Sequence, residues 1–335
     1  MADLSIEFAG ITFRNPILIA SCSLTSDISK MKVMEEAGAA GFMSKLITHA
    51  IPPDNNYFRA IVTKSGWAVY GDRRLNVEQG VAFLKECKRE LKGPVIANIM
   101  GRGADEDSWA ETARACEGAG ADGLELDLSC PNVEYSKQRL VQFAGFAIGR
   151  SPELTYQVTK AVKGAVKVPV IAKLTPEVED LLPIAKAAQE AGADALSGIN
   201  AIIGFPGVDI DRGGKPLYPG VETQPYSACM GTLLRPIASK QTALISRFVP
   251  LPYSSVGGVM TWRDVVERLM LGARTVQLCS TVYLNGLSRI TNCVKMLNKF
   301  LDKNGYTGVA DIIGIAQKYV AAGAGLPFSE AIWDV

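Results

Sequence analysis

A cysteine stands where an apolar segment gives way to a loop, in the stretch LDLSCPNVEY that runs from Leu126 to Tyr135. A thiol at such a position can fill the core, bind a metal, act as a nucleophile or carry a proton. The chain has seven cysteines but no pair with C-x-x-C spacing, and His49 is its one histidine. A zinc or iron–sulfur site therefore lacks its usual signature, and a Cys–His nucleophilic pair is not indicated. Core packing and proton transfer stay open for Cys130.

Further polar residues recur at the carboxyl ends of apolar segments, where a parallel barrel gathers its active site. Two of them are lysines, and a buried lysine is costly unless it has a partner. Gly257-Gly258 and Ser280-Thr281 follow the last two segments, in positions whose backbone N–H groups commonly bind phosphate. The pattern predicts a phosphate-bearing ligand with polar ring atoms, although rim salt bridges, plain turns and caps are alternatives for the same residues. The residues in the earlier positions are Ser21, Ser44, Lys45, Asn98, Asp127, Cys130, Lys173 and Asn200.

These residues must be positioned by the elements around them, which alternate between short apolar segments and amphipathic stretches. The apolar segments are rich in Val, Ile and Leu with little alternation, which is typical of buried parallel strands. Eight strands alternating with eight helices predict an α/β fold, a (β/α)8 TIM barrel. The predicted strands are Pro16–Ser21, Gly41–Lys45, Pro94–Asn98, Gly123–Leu128, Pro169–Leu174, Ala195–Asn200, Ser254–Val256 and Thr275–Cys279. The predicted helices are Ile28–Ala37, Val77–Leu91, Asp105–Ala119, Pro152–Ala165, Glu177–Ala191, Leu233–Phe248, Trp262–Leu271 and Gly286–Phe300.

A short repeat at the predicted helix ends supports the barrel. The tripeptide AGA occurs at Ala37–Ala39, Ala119–Ala121 and Ala191–Ala193, and LGA occurs at Leu271–Ala273. Glycine adopts the left-handed conformation that ends a helix, and alanine lets the chain pass closely into the next strand. The spacing fits two strand–helix units between successive copies, whether the copies reflect common ancestry or only shared loop chemistry.

Segments outside the alternating pattern predict a plug and two lids. Leu4–Phe13 has the pattern of a hairpin that would close the bottom of the barrel. Two long connections, Ile47–Asn76 and Ala201–Leu233, follow strand ends and are rich in Gly, Pro and Tyr, as functional lid loops often are. No linker-like change of composition divides the chain, so we expect a single domain over residues 1–335.

The overall composition excludes several classes of function. Apolar residues make up 48% of the chain and the formal net charge is +1, so nothing favours nucleic acid or an acidic membrane surface as a partner. No apolar run reaches the roughly 18–20 residues that a membrane helix needs. The odd number of cysteines and the absence of a signal-peptide pattern predict a reducing, cytoplasmic location.

The motifs LDLSCPN, IAKLTP, SGIN, VGGV and QLCSTVY, in this order and on these strands, resemble those of the flavin-dependent dihydroorotate dehydrogenases. They are still more similar to those of the flavin domain of the dihydropyrimidine dehydrogenases. Two further segments resemble the latter group: the segment from SGWAVYG to LN at Ser65–Asn76, and GTLLRPIA at Gly231–Ala238. The resemblance runs from about Ile6 to Thr307, and the ordered set of motifs is far more specific than any one of them.

The resemblance implies an FMN cofactor held at the top of the barrel. Lys173 would hold the N1–O2 side of the flavin, where negative charge appears on reduction and a buried cation stabilises it. Lys45 would lie near the ring system as a further catalytic residue. The phosphate would be received by Gly231, Gly257, Gly258, Ser280 and Thr281, and the remaining cofactor contacts would come from Ala20, Ser21, Asn98 and Asp127.

The resemblance also implies a role for the thiol. The enzyme would interconvert a dihydropyrimidine-type ring, dihydroorotate or dihydrouracil/dihydrothymine, and its unsaturated form, a reaction of pyrimidine metabolism with hydride passing between ring C6 and flavin N5. Cys130 would carry the proton at C5, because a thiol with a free pKa of about 8.5 exchanges protons close to neutrality. The substrate ring would be bound by Asn76, Asp127, Ser129, Asn132 and Asn200.

Several positions depart from the family pattern and bear on the substrate. The family usually has asparagine at the position of Asp127, and an ionised carboxylate only accepts hydrogen bonds where an amide also donates them. The family tends to have Ser or Thr at the position of Ala201, so we expect one ligand hydrogen bond to be lost. The loop after Cys130 differs from the family's Gly-rich version, and Arg73 and Arg74 lie in a lid where they could meet an acidic substrate or solvent. Another cyclic amide or an enoate ring is therefore an alternative substrate.

The resemblance finally implies a partner that handles electrons. Dihydropyrimidine dehydrogenases often carry iron–sulfur modules, and this chain has no such cysteine cluster. Electrons would pass to or from a separate subunit with FAD or iron–sulfur clusters, or to a soluble acceptor, and a homodimer is expected by the same analogy. Two functions from other classes are alternatives: a flavin-free barrel lyase with a Schiff base at Lys173, and a non-catalytic subunit that binds a phosphorylated ligand.

Overall fold

The computed structural model describes residues 2–49, 59–63, 66–70, 74–130, 145–217 and 227–320. In chain order the strands in these residues are β1 (Ile6–Phe8), β2 (Ile11–Phe13), β3 (Ile17–Ile19), β4 (Gly41–Met43), β5 (Ile47–Thr48), β6 (Arg59–Thr63), β7 (Gly66–Tyr70), β8 (Val95–Met100), β9 (Gly123–Asp127), β10 (Val170–Lys173), β11 (Ala195–Gly198), β12 (Ile202–Gly204), β13 (Val208–Asp209), β14 (Lys215–Pro216), β15 (Ser227–Met230), β16 (Tyr253–Val256) and β17 (Thr275–Leu278). The helices are α1 (Ile28–Glu36), α2 (Val77–Glu90), α3 (Glu106–Gly118), α4 (Pro152–Ala165), α5 (Leu182–Glu190), α6 (Arg235–Phe248), α7 (Trp262–Met270), α8 (Ser280–Asn285) and α9 (Ser288–Lys303). None of these helices is long and apolar enough to cross a membrane.

Eight of the strands are parallel and close into a barrel surrounded by helices, which confirms the predicted fold. The sheet runs in the order β4-β3-β17-β16-β11-β10-β9-β8, and β4 pairs with β8 to close it. The residues of these strands are buried along their whole length, because side chains fill the barrel inside and helices cover it outside. All eight carboxyl ends therefore meet at one face of the barrel.

The AGA and LGA repeats end helices, as their sequences predict. Gly38, Gly120, Gly192 and Gly272 have φ angles of +117°, +92°, +92° and +109°. They come just after α1, α3, α5 and α7, in a conformation that glycine adopts without the steric cost of a side chain. The starts of α1 to α4 are capped by side chains, as where Asp27 accepts hydrogen bonds from the backbone N–H groups of the first turn of α1. Each repeat thus directs the chain from a helix into the next barrel strand.

The hairpin of β1 and β2 packs against the amino ends of barrel strands. A Cβ added to Gly41, the first residue of β4, would lie 2.7 Å from the ring of Phe13. A Cβ added to Gly123, the first residue of β9, would lie 3.3 Å from the side chain of Ile11. The hairpin is therefore at the end of the barrel opposite the predicted site, in agreement with the predicted plug.

The two long connections contain strands that the sequence pattern did not predict. The first includes β6 and β7, and the second includes β12 to β15. β7 pairs antiparallel with β15, with Ala68 opposite Cys229, so that β12, β15, β7 and β6 form one sheet across both connections. We refer to these four strands as the lid sheet. Its pairing joins residues about 160 apart in the chain, which local periodicity cannot reveal.

Two predicted helices differ from the structure by three residues or more at one end. Helix α5 begins at Leu182 rather than at Glu177, because Pro183 is tolerated in the first turn of a helix but not in its interior. The predicted helix Gly286–Phe300 is preceded by a separate short helix, α8, which the sequence pattern missed. Gly286 has a φ of +74° and separates α8 from α9.

Candidate active site

Two adjoining cavities open at the carboxyl ends of the barrel strands. With the open solvent at its mouth included, the space in the first is about 670 Å³ and that in the second about 540 Å³. Ser21, Lys173 and Asn200 line both, so one elongated ligand can extend from the first into the second. The predicted residues that line the first cavity are Ser21, Lys45, Asp127, Cys130, Lys173 and Asn200. Those that line the second are Ala20, Ser21, Lys173, Asn200, Gly231, Gly257, Gly258 and Ser280.

The ammonium of Lys173, at the end of β10, is a buried cation beside both cavities. Its Nζ lies 3.2 Å from Oε1 of Glu125, and the two side chains are 4% and 0% exposed. Burial by itself lowers the pKa of Lys173, but the negative charges of Glu125 and Asp127 outweigh burial, so the pKa is raised above its ordinary value. Lys173 is therefore held in its charged form.

Glu125, in the middle of β9, is the centre of a polar network inside the barrel that the sequence interpretation missed. Its Oε1 accepts a hydrogen bond from Nδ2 of Asn98 at 2.8 Å. Its Oε2 accepts one from Oγ of Ser197 at 2.7 Å and one from Nε2 of Gln277 at 3.3 Å. A fully buried carboxylate needs such partners. The signal was present in the sequence, since Glu125 is a charged residue between two leucines of a predicted buried strand.

Three of the predicted substrate-binding residues form a hydrogen-bonded cluster. Oδ1 of Asp127 accepts hydrogen bonds from the backbone N–H of Ser129 at 3.2 Å, from its hydroxyl at 2.8 Å, and from Nδ2 of Asn200 at 3.3 Å. Nδ2 of Asn200 also lies 2.9 Å from Oγ of Ser129. Every partner is a donor to Oδ1, so this oxygen of the carboxylate that stands at the family's asparagine position is satisfied within the protein.

Cys130 lines the first cavity next to an arginine. The residue is 9% exposed, and Nη2 of Arg74 lies 3.9 Å from its Sγ. Arg74 is itself buried and lines the same cavity. Of the two settings that the sequence left open for this arginine, solvent and an acidic ligand, the structure excludes solvent. A guanidinium beside a sulfur is an arrangement that stabilises a thiolate.

The second cavity has a wall of glycines in which side chains would not fit. Gly257 and Gly258 follow β16 with φ angles of +112° and +72°, and Gly231 precedes α6 with a φ of +95°. A Cβ added to Gly258 would lie 2.4 Å from the backbone N of Arg235, the first residue of α6. Bare glycine turns beside the start of a long helix suit an anion such as phosphate. We refer to Gly231, Gly257, Gly258 and the start of α6 as the glycine wall.

Trp67, on β7 of the lid sheet, forms part of the wall of the first cavity. Its Nε1 donates a hydrogen bond to Oγ of Ser280 at 2.7 Å, and its ring centroid lies 4.8 Å from that of Tyr283. The hydroxyl of Tyr283 accepts a hydrogen bond from the backbone N–H of Leu24 at 3.2 Å. The sequence interpretation missed both aromatic residues, because only the pairing of β7 with β15 brings Trp67 to α8. An aromatic wall suits a planar ring ligand.

Four predicted site residues do not line either cavity. Asn98 is fully buried and donates to Glu125. Asn76 caps α2, and its side-chain oxygen is engaged by the first turn of that helix. Ser129 and Thr281 are fully buried. Their direct contacts with cofactor or substrate stay predictions. Asn132 and Arg73 lie outside the described residues.

Comparisons with known proteins point to one family. Residues 3–301 match the family described as dihydroorotate dehydrogenase. The chain is 33% identical over 317 residues to the dihydroorotate dehydrogenase B (NAD(+)) catalytic subunit of Pyrococcus furiosus, with 94% of this chain and 99% of that protein covered. It is 31% identical to the protein of the same description from Methanothermobacter thermautotrophicus, with 93% and 98% covered.

A second kind of relative comes from Escherichia coli. The chain is 28% identical over 342 residues to the NAD-dependent dihydropyrimidine dehydrogenase subunit PreA, with 99% of this chain and 81% of that protein covered. The two kinds of relative correspond to the two groups whose motifs the sequence resembles. Both are described by name as dehydrogenases and as subunits.

Proposed function

Because the chain belongs to the dihydroorotate dehydrogenase family, we propose that it is an FMN-dependent dehydrogenase that interconverts a dihydropyrimidine-type ring and its unsaturated form. The observation that carries the proposal is the position of Lys173. This buried cation lines both cavities, with Cys130 in the first and the glycine wall in the second. A buried cation, a thiol and a turn of glycines thus line two adjoining cavities that share Lys173.

The residues present fit FMN. The glycine wall would hold the phosphate, since Gly231, Gly257 and Gly258 line the second cavity without side chains, and a Cβ at Gly258 would collide with the start of α6. Lys173 would hold the part of the ring system that gains negative charge on reduction. Oε1 of Gln277 is buried without a hydrogen-bond partner among the described residues, and Gln277 lines the second cavity, so a ring N–H would complement it.

The side chains of the first cavity would handle the proton of the reaction. Bound FMN would supply the acceptor for a hydride from C6 of the ring. Cys130 would take the proton from C5 during oxidation and return it during reduction. Arg74, 3.9 Å from the sulfur, would stabilise the thiolate that oxidation requires. Because Cys130 is nearly closed to solvent, bulk water competes little for the proton.

The cluster of Asp127, Ser129 and Asn200 supports a ring that carries amide N–H groups. Hydrogen bonds within the cluster fix the positions of the Asp127 carboxylate and the Asn200 amide. A carboxylate with acceptor capacity left over is complementary to a ring N–H and repels a ring carbonyl. A cyclic amide is therefore favoured over an enoate ring.

The charges of the first cavity favour a ring with a carboxylate, as in dihydroorotate. Among the described residues that line it are three cations, Lys45, Arg74 and Lys173, and one carboxylate, Asp127. Glu125, behind the wall, pairs with Lys173, so the cations exceed these two carboxylates by one. Anionic ligands are attracted to such a cavity, and the attraction is strengthened by low exposure to water. An uncharged ring, as in dihydrouracil or dihydrothymine, is the second candidate, and the similarity to a dihydropyrimidine dehydrogenase subunit favours it.

The electrons would leave through a partner. The relatives of both kinds are described as subunits, and this sequence has no C-x-x-C pair that could hold an iron–sulfur cluster. A separate chain with FAD or iron–sulfur clusters, or a soluble acceptor, would receive them. Assembly of the chain as a homodimer stays a prediction from the family resemblance.

A Schiff-base lyase is disfavoured by the state of its lysine. An amine nucleophile must be neutral, which enzymes achieve by lowering the pKa of a lysine. Despite burial, the pKa of Lys173 is raised because Glu125 and Asp127 stabilise the ammonium. The amine is therefore protonated at neutral pH and a poor nucleophile.

The absorption spectrum of the purified protein tests the proposal. We expect flavin bands near 450 nm, as flavin cofactors show, and release of a flavin with the mass of FMN on denaturation. Borohydride added together with a candidate substrate should leave no adduct on Lys173. A colourless protein that does not take up added FMN would contradict the proposal.

A further inference from the structure

Arg268, on α7, is among the largest fully buried side chains, and the reaction described above does not use it. Its Nη2 donates a hydrogen bond to the backbone carbonyl of Gly257 at 3.1 Å and another to that of Arg235 at 3.0 Å. Gly257 belongs to the turn after β16, and Arg235 begins α6. One nitrogen therefore ties together two parts of the glycine wall from behind.

Helix α7 also holds the start of α6 through side chains. Nε of Arg235 lies 2.9 Å from Oδ1 of Asp264, and its Nη2 lies 2.7 Å from Oε2 of Glu267. Asp264 and Glu267 belong to α7, as Arg268 does. The backbone and the side chain of Arg235 are thus both fixed by the same helix. A Cβ added to Gly258 would lie only 2.4 Å from the backbone N of Arg235, so the backbone of the turn packs closely against the start of α6. The turn and the helix start therefore have little room to shift independently.

The charge of Arg268 is not matched by a carboxylate of its own. Its Nε and Nη1 are buried without hydrogen-bond partners among the described residues. The acids that act on it electrostatically, Glu267 and Asp264, are both paired with Arg235. Burial lowers the pKa of Arg268, yet a guanidinium starts so high that it stays charged at neutral pH. A positive charge therefore lies directly behind Gly257, where it attracts an anion on the cavity side.

We propose that Arg268 is a positioning residue for the phosphate of the flavin. It holds the turn of Gly257 and Gly258 against the start of α6 and places a buried positive charge behind that turn. The proposal rests on the FMN-dependent function proposed above. An arginine that only joined α6 to α7 would stabilise the fold but would not distinguish a phosphorylated flavin from an unphosphorylated one.

The test compares the affinities of FMN and riboflavin, which differ only in the phosphate, for the flavin-free full-length chain. In Arg268→Met, the affinity for FMN should fall about tenfold or more, as expected for a lost hydrogen-bonded charge, while that for riboflavin changes less than about twofold. Arg263→Met is the matched control, because Arg263 lies on the same helix and is exposed. For Arg263→Met, the ratio of the affinity for FMN to the affinity for riboflavin should equal that of the unsubstituted protein.

A second variant covers the case in which the methionine variant does not fold. Arg268→Lys keeps the charge but loses the pair of hydrogen bonds to Gly257 and Arg235. The affinity for FMN should therefore fall by a smaller factor than in Arg268→Met, and the affinity for riboflavin should not change. An unchanged ratio, or equal weakening of both ligands, would overturn the proposal. Loss of folding in both variants would also count against it, because Arg268 would then serve the core alone. Unsubstituted protein that binds neither flavin would instead contradict the FMN function itself.

Discussion

The ammonium of Lys173 and the carboxylate of Glu125 lie 3.2 Å apart on neighbouring strands, at a place almost closed to solvent. The strand register sets Lys173 opposite Asp127, so the lysine side chain reaches one layer down into the barrel to meet Glu125. The cation of Lys173 is thereby held beside the proposed flavin site, and the carboxylate of Glu125, deeper in the barrel, stabilises its charge. Removing Lys173 would leave the buried carboxylate of Glu125 without its cation, and removing Glu125 would leave the ammonium without its nearest carboxylate, with Asp127 as the weaker partner.

Glu125→Gln tests this pair through stability. We expect the free energy of unfolding to fall by about 3–5 kcal/mol, because the ammonium of Lys173 loses its buried counter-ion. Denaturant unfolding of the flavin-free protein measures the change. Glu36→Gln is the control, since Glu36 is exposed on α1 and its substitution should change stability by about 0.5 kcal/mol or less. A loss no larger in Glu125→Gln than in the control would show that the pair does not stabilise the fold.

Cys130→Ala tests the proton step. Turnover should fall by roughly 10²–10⁴-fold, the usual contribution of a general acid or base, while the flavin spectrum is retained. Cys229→Ser provides a matched control, because Cys229 lies on β15 of the lid sheet and lines neither cavity. If Cys130→Ala and the control turned over at similar rates, Cys130 would not be the proton carrier.

Arg74→Gln tests whether the substrate carries a carboxylate. Loss of a charge-assisted hydrogen bond should raise KM for dihydroorotate by about tenfold to a hundredfold. Any effect through the thiolate of Cys130 would slow charged and uncharged rings alike, so dihydrouracil is the internal control. The ratio of kcat/KM for the two substrates is the informative quantity. A ratio unchanged by the substitution would remove Arg74 from substrate selection.

His49 offers a measurement of burial that needs no substitution. Burial, aided by the charge of Arg102, lowers the pKa of His49 below its ordinary value of 6.5. The unfolded chain therefore binds the proton more readily, so this contribution to stability is complete above about pH 6.5 and is lost as the pH falls below it. Since the chain has one histidine, its imidazole signal in an NMR titration is unambiguous. A midpoint at or above that of the urea-unfolded protein would contradict the expected shift.

Much of the fold could be predicted from the sequence because local signals specify it. The apolar segments predicted all eight barrel strands, and the repeated glycines predicted where four helices end. The lid sheet could not be predicted, since β7 and β15 pair across a long stretch of chain and neither has a periodicity of its own. Helix α8 was missed because six residues are too few to show helical periodicity.

Some residues of the candidate site could likewise be predicted from the sequence, and others could not. Lys173, Cys130 and Gly257 could be predicted because they come at strand ends, which a barrel brings together. Glu125 was missed although its charge in an apolar strand was visible. Trp67 and Arg268 reach the site from the lid sheet and from the outer face of a turn, positions that only tertiary packing determines.

An anaerobic titration of the purified protein with dihydroorotate, dihydrouracil and dihydrothymine, followed by absorption near 450 nm, decides both the cofactor and the substrate class. We predict that flavin bands are present and are bleached by one of these rings, with dihydroorotate favoured by the cations of the first cavity. Flavin bands that none of the three rings bleaches would contradict the proposed substrate class while leaving the cofactor in place. Absence of flavin bands even after incubation with FMN would contradict an FMN-dependent function of this protein.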